Sequence, residues 1–95
     1  SMPRRKLLFL ISEDWFFALH FLPLAKAVAA RGYEVSVATQ VNAHGEAITS
    51  AGLTLHPVRI GRSGLNPVTA LAELGEIKRL YTRLRPDVVH QIALK

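Results

Sequence analysis

Cysteine is absent from the 95 residues. That excludes disulfides, thiolate metal sites and a thiol nucleophile, and it agrees with a reducing compartment. No apolar run approaches the roughly 18–20 residues of a membrane span. The start, Arg4-Arg5-Lys6 before Leu7–Ile11, imitates a signal peptide, but its apolar part is short and Glu13-Asp14 stands where small cleavage-site residues belong. Glycine is missing from Ser12 to His20, which excludes a dinucleotide fingerprint or a P-loop after the first apolar run. His20, His44, His56 and His90 share no metal-ligand spacing, so no metal site is expected. Acidic residues are the minority, 7 against 12 Lys and Arg, for a net charge of +5. Such a balance favours phosphates, nucleic acid or anionic lipid surfaces.

What is present reads as one small α/β domain. Leu7–Ile11 is apolar without alternation, which suits a strand buried on both faces of a parallel sheet. A first helix is expected from Phe16 or Phe21 to Arg31, with Pro23 in its first turn, or bending it if it starts earlier. Gly32 closes that helix. A second strand, Glu34–Thr39, alternates and reads as less buried than the first. Asn42 then caps a short helix over Ala43–Ala51, ended by Gly52. Pro57 marks the third strand, Leu53–Val58, as an edge strand. Asn66-Pro67 starts a last helix over Pro67–Arg85, with Ala70, Leu74, Ile77, Tyr81 and Leu84 on its apolar face. Val88–Leu94 is the fourth strand. The expected fold is a Rossmann-like, three-layer αβα arrangement with a four-stranded parallel sheet in the order 3-2-1-4. The chain stops on an apolar strand, so it is read as a partial domain. Ser1 ahead of Met2 is read as a remnant of an expression tag.

Ligands of such sheets collect at the carboxyl ends of the strands. Glu13, Asp14, Trp15, Phe16, Phe17 and His20 follow the first strand. Asp14 also suits a helix N-cap, and Glu13 a solvated carboxylate. The pair resembles the acids of a receiver domain, but the third strand ends in Val58-Arg59-Ile60 without the required aspartate. Arg59 and Arg62 flank the Gly61–Gly64 turn before a helix start, a place suited to phosphate. The aromatic run suits core packing, a sugar ring or a lipid surface. One reading is therefore a stand-alone basic module that binds a nucleotide, a nucleic acid or a partner protein.

A second reading comes from resemblance. "LLFLISEDWFFALHFLPLAKAVAARGYEVSVATQV", "RSGLNP" and "RPDVVHQIALK" together resemble the N-terminal, acceptor-side domain of family 4 glycosyltransferases of the GT-B fold. The subgroup acting on undecaprenyl-diphosphate-linked or cell-envelope acceptors is the most similar. The resemblance implies a retaining sugar transfer from a nucleotide-sugar donor, without a metal or other cofactor. It implies a separate C-terminal donor domain, so the fragment alone is expected to be inactive. It places the protein in the cytoplasm, peripheral at the inner face of the membrane, with nucleic acid an unlikely partner. In that family the histidine at the start of the first helix lies near the reacting sugar; here it is His20. Glu13, Asp14, Arg59, Arg62, His90 and Lys95 are then acceptor-side candidates, with Trp15, Phe16 and Phe17 against lipid or sugar. Family members read His-Arg where this chain has His20-Phe21, so that arginine's acceptor contact is lost or supplied elsewhere. Apolar surface beside the fourth strand points to a homodimer.

Overall fold

The computed structural model describes residues 5–59 and 66–92. Its elements are β1 (Lys6–Glu13), α1 (Asp14–His20), α2 (Leu22–Ala30), β2 (Glu34–Gln40), α3 (Gly45–Ser50), β3 (Thr54–Pro57), α4 (Pro67–Leu84) and β4 (Val88–Ile92). The strands form one parallel sheet in the order β3-β2-β1-β4, as the sequence predicts. Arg62 and Lys95 lie outside the described residues.

β1 is buried on both faces. Phe9 and Ile11 join Phe17, Ala25, Val35, Val37, Ile48 and Leu53 under α1, α2 and α3. Leu8 and Leu10 join Ala38, Val58 and Leu80 under α4. Three layers follow, because a strand without a polar side needs cover above and below. Pro57 sits in the edge strand β3, where a missing donor costs no ladder bond. Asp87 fixes the other flank. Its carboxylate accepts the Lys6 N–H at 2.8 Å, and its own N–H donates to the Lys6 carbonyl at 2.9 Å. Val88 is thereby set opposite Leu7.

Four expectations are corrected. The first helix is two helices, broken at Phe21. Pro23 has no N–H to continue the ladder, so it starts a new helix within that helix's first turn. β2 is buried from Val35 to Gln40, not alternately exposed. Its polar residues Ser36 and Thr39 are enclosed because β1 and β3 flank it and helices cover both faces. Asn42 does not cap α3, which starts at Gly45. On α4 the inward residue is Leu80, with Ile77, Tyr81 and Leu84 half-buried beside it, whereas Leu74 is 63% exposed. The four-three spacing identified a helical stripe correctly but set its centre too far towards Leu74.

Two contacts give tests. A Cβ on Gly45 would stand 2.7 Å from Val41 Cγ1 and 3.3 Å from Leu55 Cδ2. Overpacking of this kind costs on the order of 1–3 kcal/mol, more than the few tenths to 1 kcal/mol that alanine adds in a helix. Gly45→Ala is therefore expected to destabilise by about 1 kcal/mol in urea unfolding. Val41→Ala in that background should restore the midpoint; no restoration would refute the steric account.

The second contact ties α4 to β3. Arg83 Nη2 lies 3.4 Å from His56 Nδ1. Burial, and then the guanidinium, push the imidazole below its ordinary value of 6.5. The folded protein thus binds this proton less readily than the unfolded chain. The contribution to stability is complete above pH 6.5 and declines as pH falls from there towards the depressed value. Arg83→Gln should raise the His56 midpoint in a proton NMR titration, while burial keeps it below 6.5.

Candidate functional site at the β1–β4 crevice

The strand order reverses direction between β1 and β4, the topological position where open α/β sheets take ligands. β1 ends here in Glu13, and α1 begins with Asp14.

Asp14 is 0% exposed. Its Oδ2 accepts the backbone N–H of Asn42 at 2.7 Å and of His44 at 2.9 Å. Its Oδ1 stands 3.9 Å from His44 Nδ1, and neither of those atoms has a hydrogen bond. Glu13 Oε2 accepts from Asn42 Nδ2 at 3.4 Å. Both acids therefore face the loop between β2 and α3. Asp14 holds that loop from inside, and the helix begins only at Gly45, with His44 rather than Asn42 at the N-cap position.

The aromatic run divides by its helical direction. Phe17 is fully buried, edge-on to Phe9 at a centroid distance of 5.2 Å. It is a core residue and does not reach a sugar or a lipid. Trp15 is 45% exposed and stands edge-on to Phe16 at 5.6 Å. Phe16 is half-buried and packs on His20, one helical turn later, at 4.4 Å.

His20 and His90 belong to one wall. From His20 the contacts run to Phe16, from Phe16 to Phe21 at 6.2 Å, and from Phe21 to His90 at 5.2 Å. His90 also stacks on Phe9 at 5.4 Å, its register partner across the β1–β4 ladder. Both histidines are exposed. The expected position of His20 at a helix start becomes the last turn of α1, directly before α2. Phe21, where a residue-by-residue reading saw only a lost arginine, is the ring that joins the two histidines. The register of β4 with β1 was the signal for this contact, and it becomes visible only once the sheet order is known.

Arg59 lies elsewhere on the rim, past the end of β3. It borders a cleft of about 720 Å³ with Gln40, Pro57, Thr69, Glu73 and Glu76. Among the described residues, two carboxylates and one guanidinium border it. The start of α4 offers little to an anion. Pro67 has no N–H, Asn66 Oδ1 accepts from Val68 at 3.0 Å and Thr69 at 3.3 Å, and the Asn66 carbonyl accepts from Ala70 at 3.1 Å. Three strands' width separates Arg59 from His90, roughly 14 Å at the usual strand spacing.

The role of Asp14 is testable directly. Hydrogen bonds to a charged group are worth about 1.5–3 kcal/mol each, and Asp14→Ala leaves two amides unpaired. A loss of about 3 kcal/mol in urea unfolding is expected, with Asp14→Asn milder because one acceptor oxygen remains. A loss below about 1 kcal/mol would remove Asp14 as the anchor of the loop.

No curated protein sequence matches the chain. Among solved structures, the spinosyn rhamnosyltransferase SpnG complexed with thymidine diphosphate matches with a TM-score of 0.64 at 23% identity, over 92% of this chain and 28% of that one. That similarity establishes the fold, a partial Rossmann-like domain of the kind found in a GT-B glycosyltransferase. A family model described as glycosyl transferase 4-like matches residues 6–95. The chain belongs to the glycosyl transferase 4-like family.

Proposed function

We propose that this chain is the acceptor-side part of a retaining glycosyltransferase. The reaction moves a sugar from a nucleotide-sugar donor to a lipid-linked or cell-envelope glycan acceptor, without a metal. The observation that carries the reading is the family match over residues 6–95. The nucleoside diphosphate bound by the rhamnosyltransferase of the same fold supports a nucleotide-sugar donor. This chain spans 28% of that protein, which supports a donor-binding domain elsewhere in the polypeptide and an inactive fragment.

The His20–Phe16–Phe21–His90 wall is the acceptor surface in this reading. His20 is exposed, and no residue described here hydrogen-bonds its ring nitrogens, so one nitrogen is open to an acceptor hydroxyl. Phe16 packs on its ring and limits its rotation. His90 closes the far end, and the exposed part of Trp15 offers a face to a sugar ring. Asp14 acts at one remove, by fixing the loop beside α1. Retention, the lipid-linked acceptor and a place at the inner membrane face rest on the sequence resemblance.

The test uses the polypeptide that carries this chain together with its donor domain. His20→Ala should lower kcat about 100-fold or more, the usual scale for a positioned proton acceptor. Thermal stability should hold, since the side chain is exposed. Unchanged turnover would remove His20 from the site.

A further inference from the structure

Among the described residues, four buried side-chain atoms have no hydrogen bond, and two of them face each other. Asp14 Oδ1 and His44 Nδ1 stand 3.9 Å apart, and the Asp14 side chain is 0% exposed. Oδ2 is occupied by the amides of Asn42 and His44, which fixes the rotation of the carboxylate and leaves Oδ1 on the side of the ring. A buried carboxylate oxygen without a donor is costly, so a neighbour able to donate matters. The His44 side chain is 43% exposed although its Nδ1 is buried. The exposed edge is therefore the one away from Asp14, which carries Nε2, and no residue described here hydrogen-bonds that atom. β1 ends at Glu13 and β2 at Gln40, so Asp14 and the His44 loop both follow strand ends. Ligands of parallel sheets collect there.

We propose that His44, oriented by the buried Asp14 carboxylate, presents the lone pair of Nε2 to a hydroxyl of a bound carbohydrate. In a neutral imidazole one nitrogen carries the proton and the other a lone pair. A carboxylate oxygen at 3.9 Å attracts an N–H and repels a lone pair, so the proton belongs on Nδ1. The separation exceeds a hydrogen bond by about 1 Å, and a small turn of a partly exposed ring closes it. Nε2 is then left with its lone pair outward. The ligand it meets must donate, which selects a hydroxyl and disfavours a phosphate. Glu13 strengthens the choice, because its carboxylate is held at the same loop by Asn42 Nδ2 at 3.4 Å. An anion would meet that charge, whereas a sugar would find oxygens and a nitrogen that accept from its hydroxyls. Asp14 is a positioning residue here, since it touches the ring and not the ligand. That the hydroxyl belongs to a carbohydrate rests on the acceptor-side reading above; that the ligand donates rests on the pair itself.

Nitrogen NMR of the isotope-labelled chain, at a pH where the ring is neutral, reads which His44 nitrogen carries the proton. Nδ1–H is expected in the unaltered chain. In Asp14→Asn the amide oxygen keeps the two backbone N–H groups and the NH2 turns to the ring, so the proton should move to Nε2. Methyl glucopyranoside and inorganic phosphate are then titrated separately, and the amide signals of the β2–α3 loop are followed. The unaltered chain should prefer the glycoside. Asp14→Asn should reduce that preference about fivefold or more, and His44→Ala should weaken glycoside binding to the same extent, the scale of one hydrogen bond. Nε2–H in the unaltered chain would overturn the proposal. So would a preference for phosphate there, or glycoside binding that His44→Ala leaves unchanged. If Asp14→Asn does not fold, the tautomer of the unaltered chain and the His44→Ala titration decide alone. Neither measurement involves sugar transfer, so failure of the His20 reading and failure of this one show in separate experiments.

Discussion

β1 has no side to give to water. Leu8 and Leu10 need one cover and Phe9 and Ile11 another, so the chain must supply helices on both faces of the sheet. That requirement draws α4 across to the face opposite α1, α2 and α3. The return strand β4 then falls on the free side of β1, because its neighbour on the other side is already β2. The β1–β4 crevice is the consequence. It is a product of which residues must be dry, and the His20–Phe16–Phe21–His90 wall is built beside that boundary.

The wall has its own economy of contacts. Phe9 faces inward under α1, yet its ring also stacks on His90. A core residue thereby orients an exposed imidazole. Phe21 does the same where α1 breaks into α2, touching Phe9 and His90 together. Pro23 is the reason for the break, and a continuous helix would carry Phe21 and His20 round on a different path. The bend and the histidine wall are one feature. The acids beside it serve a different end: Asp14 binds two amides of the neighbouring loop, so its charge is held inside the protein. Rigid support of exposed side chains by buried ones is what a binding site requires if it is to keep its geometry.

The fold was legible where a residue's chemistry allowed one outcome. Leu7–Ile11 could only be a strand buried on both faces, Pro57 could only lie at an edge, and Asn66-Pro67 could only open a helix. The sheet order followed from the handedness of the crossovers. Other parts depended on neighbours distant in the chain. Ser36 reads as exposed until β3 is placed beside it. Asn42 reads as a cap, but its loop is held by the carboxylate of Asp14 from 28 residues away and the helix begins at Gly45. His20 was legible as a candidate from its place after the first strand, and His90 from the fourth strand, where the structure sets it mid-strand opposite Phe9. Their junction through Phe21 was not, because it depends on the β1–β4 register. Phe17 carried the opposite error: its chemistry suits a ligand wall, but its helical direction points to Phe9.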